Sequence, residues 1–200
     1  LVLSGRGEEL RISATVQQRV KDVAADLGYR PNILSVGLRK GSGLALGFVS
    51  DTVATSLLAG DMIKGALEAA HDRGLMLFIG ETEGDPAVER RLIDALLDRQ
   101  VDGVILASMF TQTRPLPEGL DHAPAVLLNA LADMPRPRIP SVVPDELEAG
   151  RAAARLLVEA GHREIHLIGA GPGPDDTPPG TVAGRERLQG ILEVLGEAGL

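Results

Sequence analysis

From Ala45 onward, short continuously apolar runs alternate with longer segments whose apolar positions recur every three or four residues. The runs are Ala45–Ser50 (ALGFVS), Leu75–Gly80 (LMLFIG), Gly103–Ser108 (GVILAS), Ala125–Asn129 (AVLLN) and Glu164–Gly169 (EIHLIG), with Val142 and Val143 as a shorter candidate. Being apolar without alternation, they predict strands covered by helices on both faces. Helical spacing predicts helices over about 56–73 (Leu58, Met62, Ala66 and Ala69 on one face), 85–99 (Ile93, Leu96, Leu97), 147–160 and 184–198 (Leu188, Ile191, Leu192, Leu195). Asp85 suits an N-cap, Pro86 the first helical position, and Gly161 a helix stop. Strands separated by helices in this way call for right-handed crossovers and parallel sheets, an α/β fold.

The stretch Met134–Pro140 (MPRPRIP) holds three prolines in seven residues. It suits neither a helix nor a central strand, so it is the expected crossing between two subdomains, residues 44–139 and 140–200. The second of these holds too few strands to complete a sheet.

Residues 1–43 follow a different pattern. Val16, Val20, Val23 and Leu27 recur at helical spacing, with Ser13 placed as an N-cap and Gly28 as the stop. A turn at Tyr29–Asn32 follows, then one or two helical turns over 33–40, then Gly41-Ser42-Gly43. The charge is also uneven. The 200 residues carry a net charge of −8. Seven basic and four acidic residues give the first 43 a net +3, and the remainder a net −11. A basic arm on an acidic body suggests two tasks, with only the arm suited to a polyanion.

Several chemistries are disfavoured. Cysteine is absent, which removes disulfides, thiolate nucleophiles and thiolate metal sites. His162 and His166 are separated by a predicted strand instead of sharing a helix face, and His71 and His122 are isolated, so no metal site is expected. Gly169–Gly173 imitates a dinucleotide loop, but Pro172 removes a donor, and Pro174, Pro178 and Pro179 block the helix that would hold a pyrophosphate. No serine nucleophile elbow or P-loop occurs, so no enzyme activity and no cofactor are expected. No apolar run reaches the roughly 18 residues of a membrane helix, and the start, Leu1–Arg6, does not read as a signal peptide.

The order of local motifs resembles one family. Leu1–Gly5, the Ser-started helix, Leu27-Gly28-Tyr29-Arg30-Pro31-Asn32 and the later Leu38-Arg39 resemble the DNA-binding headpiece of lactose-repressor (LacI/GalR-type) regulators. Leu46–Asp51, Gly84-Asp85-Pro86, Val101–Ile105, Ala160–Arg163 and Arg185–Gly190 resemble that family's sensor stretches in the same order. The resemblance implies a periplasmic-binding-protein-like α/β sensor with parallel sheets, its second subdomain incomplete, preceded by a remnant all-α headpiece. It also implies that most of a helix-turn-helix and about a third of the sensor lie outside these residues, so either a fragment or a defective chain is expected.

By the same resemblance, Pro31–Arg39 is a hinge helix that pairs with its mate in the minor groove, with Leu38 as an apolar wedge between base steps. The ordinary alternative is that Ile33, Leu34 and Leu38 cover the body. Gly37 lowers helix propensity by roughly 1 kcal/mol relative to Ala, so this segment is expected to fold only on DNA. Arg6, Arg11, Arg30, Asn32, Arg39 and Lys40 are candidates for DNA contacts, chiefly to phosphates.

For the sensor, Asp51 ends the first strand, where open parallel sheets bind ligands, and Asn129 ends another. The resemblance places Leu58 in the loop lining the effector cleft and makes Arg187 the effector-gripping arginine, whose fork suits vicinal hydroxyls or a carboxylate. Against these stand a turn or N-cap for Asp51, a strand-end turn for Asn129, and an ion pair with Glu186 or Glu193 for Arg187. One Tyr and three Phe offer little stacking surface for a flat base, so a small polar effector such as a sugar fits better. The expected protein is a cytoplasmic, homodimeric transcriptional regulator, most simply a repressor, that binds double-stranded operator DNA and a carbohydrate effector, with no membrane partner. A solute-binding protein of the same fold and a sugar-modifying α/β enzyme are the alternatives.

Overall fold

The computed structural model describes residues 2–3, 5–29, 43–57, 59–135, 138–168, 173–176 and 182–200. Arg30, Asn32, Leu38, Arg39, Lys40 and Leu58, and the segment expected to form a hinge helix, lie outside the described residues. The chain divides into two compact units, Leu1–Leu44 and Ala45–Leu200.

In the first unit, turns over 5–11 lead into α1 (Ala14–Asp26). The Ser13 side chain accepts a hydrogen bond from the Val16 amide, as its position ahead of the apolar spacing predicts, and Gly28 follows the helix at φ 60°. Gln17 donates to the Ile12 carbonyl at 2.7 Å and ties the preceding turn to the helix. Val16, Val20, Val23 and Leu27 remain exposed along one side of α1, and Arg6 is exposed in the turn.

The second unit carries β1 (Ala45–Ser50), α2 (Gly60–His71), β2 (Met76–Glu81), α3 (Pro86–Asp98), β3 (Gly103–Arg114), β4 (Ala125–Ala132), β5 (Ser141–Val142), α4 (Glu146–Glu159) and α5 (Val182–Glu197). Five parallel strands form one sheet in the order β2-β1-β3-β4-β5. Met62, Ile63 and Ala66 of α2 pack with Phe48, Ala107 and Ile105 on one face. Ile93 and Leu96 of α3 pack with Val49, Val104, Leu106 and Leu127 on the other. β1 and β3 therefore have helices on both sides, as their composition requires, whereas β2 at the sheet edge leaves Met76, Phe78 and Ile79 exposed, against the expectation. Asp85 caps α3, its carboxylate accepting from the Ala87 amide at 2.7 Å, with Pro86 opening the helix.

The structure departs from the sequence reading in three places. The third strand continues to Arg114 through Thr111, Gln112 and Thr113, which carry no apolar signal. The sheet continues past the proline-rich stretch, because Ser141 and Val142 pair with Leu127 and Leu128. Residues 164–168, expected to be a strand, form none. They lie outside the sheet with Ile168 almost wholly exposed, and an apolar run without a strand beside it has no partner for its backbone groups.

Two glycines set how α4 and α5 cross. A Cβ on Gly190 would stand 2.2 Å from the Leu147 carbonyl oxygen, and one on Gly150 would be equally close to that of Arg187. Without side chains at these points the two helix backbones touch, and this contact brings the start of α4 beside Arg187.

Candidate functional site

The strand order reverses direction around β1: α2 leads to β2 on one side and α3 leads to β3 on the other. In open α/β sheets the crevice beyond the carboxyl ends at such a switch point is where ligands bind. At this end β3 bulges. Ala107 pairs with Leu128 and Gln112 with Ala130, so residues 108–111 stand opposite Asn129 alone.

The bulge is pinned from both sides. Asn129 adopts φ 57°, uncommon for a residue with a side chain but tolerated by asparagine. Its amide nitrogen donates to the Ser108 and Met109 carbonyls, both at 3.0 Å, and its carbonyl oxygen accepts from the Thr111 hydroxyl. From β1, Asp51 accepts from the Met109 amide at 2.9 Å and from the Gln112 side chain at 3.4 Å, and it also closes a turn by accepting from the Thr52 amide.

The bulge borders a cavity of about 360 Å³. Met62, Met109, Leu128, Val142, Val143 and Pro144 form its apolar walls. Phe110, 66% exposed, stands at the mouth. The polar groups are Thr111, Asn129, Glu146 and Arg187. Glu146 is the first residue of α4, where the helix dipole favours a carboxylate. Arg187 of α5 grips it in a two-pronged pair, Nε to Oε2 and Nη2 to Oε1, the latter at 2.9 Å. The Glu146 side chain is only 3% exposed, whereas that of Arg187 is 57% exposed. The Thr111 hydroxyl lies 3.4 Å from Glu146 Oε1, so Asn129, Thr111, Glu146 and Arg187 form one polar chain from β4 to α5.

Of the sensor residues singled out in the sequence, Asn129 and Arg187 line this cavity together. Asp51 is not among the lining residues and meets the site through Met109 and Gln112. The partner of Arg187 is neither Glu186 nor Glu193: Glu193 is held by Arg151, with Nη2 to Oε2 at 2.7 Å. Glu146, Thr111 and Phe110 were missed. Glu146 lies 41 residues from its arginine, and only the helix crossing at Gly150 and Gly190 joins the two. The Gly-Asp-Pro motif (residues 84–86) did carry a signal, since it is the cap of α3.

A second buried pair lies away from the cavity. Arg114 at the end of β3 donates through Nη2 to both oxygens of Glu89 in α3, at 2.6 and 2.7 Å. Among the described residues no group of three His, Asp or Glu is arranged to hold a metal ion, and no helix is long and apolar enough to cross a membrane.

Comparison with known proteins agrees with this architecture. A family model described as periplasmic binding proteins and sugar-binding domain of the LacI family matches residues 45–200. The transcriptional regulator CelR of Thermobifida fusca is 34% identical over 198 residues, which cover 95% of this chain and 55% of CelR. The transcriptional repressor CytR of Escherichia coli is 25% identical over 191 residues, covering 95% of this chain and 53% of CytR. This chain thus spans little more than half the length of these relatives. Among solved structures, a CelR–cellobiose complex superposes with a TM-score of 0.61 at 29% identity, covering 100% of this chain and 57% of that one. The lac repressor dimer bound to operator and an anti-inducer superposes with a TM-score of 0.70 at 20% identity, covering 99% of this chain and 58% of that one, a likeness of fold alone.

Proposed function

The chain belongs to the family of periplasmic binding proteins and LacI-type sugar-binding domains, and on that premise we propose that it is the sensing part of an effector-responsive, DNA-binding transcriptional regulator, acting as a repressor. The observation that carries this reading is the two-sided cavity at the carboxyl edge of the sheet. A sugar ring has an apolar C–H face and a rim of hydroxyls. Phe110, Met109 and Leu128 offer surface to the face, while Glu146 and Arg187 offer an acceptor and donors to the rim. The relatives named above support the reading: their names describe regulators and a repressor, and one is captured with cellobiose.

In this account Arg187 contacts the effector directly. Asn129 and Asp51 hold the bulge that shapes the cavity, and Leu58 belongs to the cleft loop. Residues 44–139 and 140–200, the latter joined to the first sheet through Ser141 and Val142, act as two subdomains whose relative orientation responds to the effector. The basic first unit serves double-stranded operator DNA, with Arg6, Arg30, Asn32, Arg39 and Lys40 on the backbone and Leu38 wedged between base steps. Two copies act together as a homodimer in the cytoplasm, and the protein works by binding, without turnover.

The test is fluorescence anisotropy of the intact protein on duplex DNA from upstream of its own reading frame, across a salt series and a panel of neutral sugars. The expected result is binding that weakens steeply with salt and shifts about 5–150-fold with at least one sugar. Binding insensitive to both salt and every sugar would overturn the proposal.

A further inference from the structure

We propose that Glu146 is a specificity-determining residue that makes the cavity accept neutral polyhydroxyl ligands and reject anionic ones such as sugar phosphates and sugar acids. This rests on the sugar-sensing reading above and extends it to the charge of the ligand.

Among the described residues, the charged side chains lining the cavity are Glu146 and Arg187, and they are paired with each other. An arginine facing a ligand site is, taken alone, a receptor for carboxylate or phosphate. Here its fork is already occupied by a carboxylate of this chain. The two partners are unequal, because Glu146 is buried at the start of α4 while Arg187 is more than half exposed. A phosphate or carboxylate that draws the guanidinium away leaves a buried carboxylate with no cationic side chain paired to it among the described residues lining the cavity, and the Thr111 hydroxyl, 3.4 Å away, already donates its proton to Asn129. Stripping one partner from a buried pair is strongly unfavourable, and the freed carboxylate would also repel the incoming anion.

A neutral vicinal diol meets neither penalty. Its hydroxyls donate to Glu146 and accept from the guanidinium N–H groups not engaged by Glu146, so the ion pair stays intact. Glu146 thus turns a generic anion receptor into an alternating acceptor–donor surface.

The experiment is isothermal titration calorimetry of the intact protein and its Glu146→Gln variant against inorganic phosphate, glucose 6-phosphate, gluconate and a panel of neutral mono- and disaccharides. Glutamine preserves the shape of the side chain and its acceptor oxygen. The expected result is that Glu146→Gln binds inorganic phosphate at least about tenfold more tightly than the wild type, and that Arg187→Met in the same background removes the gain. Equal phosphate affinity in the two proteins would overturn the proposal. So would a wild-type protein that binds a sugar phosphate more tightly than its neutral parent, a result that needs no variant to fold. The neutral panel is read separately. If no neutral sugar binds while Glu146→Gln still gains phosphate, sugar sensing fails and the charge assignment to Glu146 stands.

Discussion

A Cβ added to Gly150 would stand 2.2 Å from the carbonyl oxygen of Arg187, with two further Arg187 backbone atoms at 2.9 Å. That contact decides where the arginine of the candidate site lies. Gly150→Ala gains about 1 kcal/mol of helix propensity, but it forces two backbones apart, and overpacking of this kind costs about 1–3 kcal/mol. The expected net effect is a lower melting temperature and weaker effector binding. Gly65→Ala, within α2 and with nothing inside 4 Å of its Cβ position, is expected to raise the melting temperature instead. Calorimetric melts of both variants check the pair.

The bulge gives a second test. Asn129→Ala removes the hydrogen bonds to Ser108, Met109 and Thr111 and takes the side-chain donor from two partly buried carbonyls. The expected loss is about 1–3 kcal/mol, read as a lower urea midpoint at unchanged slope. Asn129→Asp, nearly the same shape, is expected to be worse, since it sets a carboxylate against two carbonyl oxygens.

Glu89 and Arg114 have side chains only 8% and 18% exposed. Removing one partner of such a pair costs about 3–5 kcal/mol, while replacing both with apolar residues is often neutral. Glu89→Ala is therefore expected to destabilise strongly, and Glu89→Leu combined with Arg114→Met to recover most of the loss, as equilibrium denaturation would show.

The Arg151 guanidinium, hydrogen-bonded to Glu193, holds that carboxyl below its ordinary value, with a smaller contribution in the same direction from Gln189. A carboxyl with a depressed native value contributes stability above the unfolded-state value and loses it as pH falls through the native one. The pair therefore stabilises at neutral pH, and that contribution is lost only on the acid side. In Arg151→Met, the Glu193 titration followed by NMR is expected to move up toward the ordinary carboxylate range.

Much of the sheet was legible because the information is local. Ala45–Ser50 reads as a strand buried on both faces and is one. Asp85 and Pro86 announce α3, and Ser13 announces α1. Thr111–Arg114 extends β3 with polar residues because they run into the bulge and the Glu89 pair, where polar partners replace apolar cover. Residues 164–168 read as a strand on composition alone, but a strand also needs a neighbour. In the site, Asn129 and Arg187 stood out by position at a strand end and in a motif. Glu146 was illegible, since nothing in its own neighbourhood shows that two glycines in different helices will bring it to an arginine 41 positions away.

On the proposed function, the cavity beside the β3 bulge binds a neutral sugar through the Glu146–Arg187 pair. The most direct measurement is backbone and arginine side-chain NMR of the protein titrated with a panel of neutral mono- and disaccharides. Saturable shifts are expected for at least one sugar, concentrated at Phe110, Thr111, Asn129, Glu146 and the Arg187 guanidinium, and abolished by Arg187→Ala. Shifts that saturate elsewhere while these residues stay unmoved would contradict it.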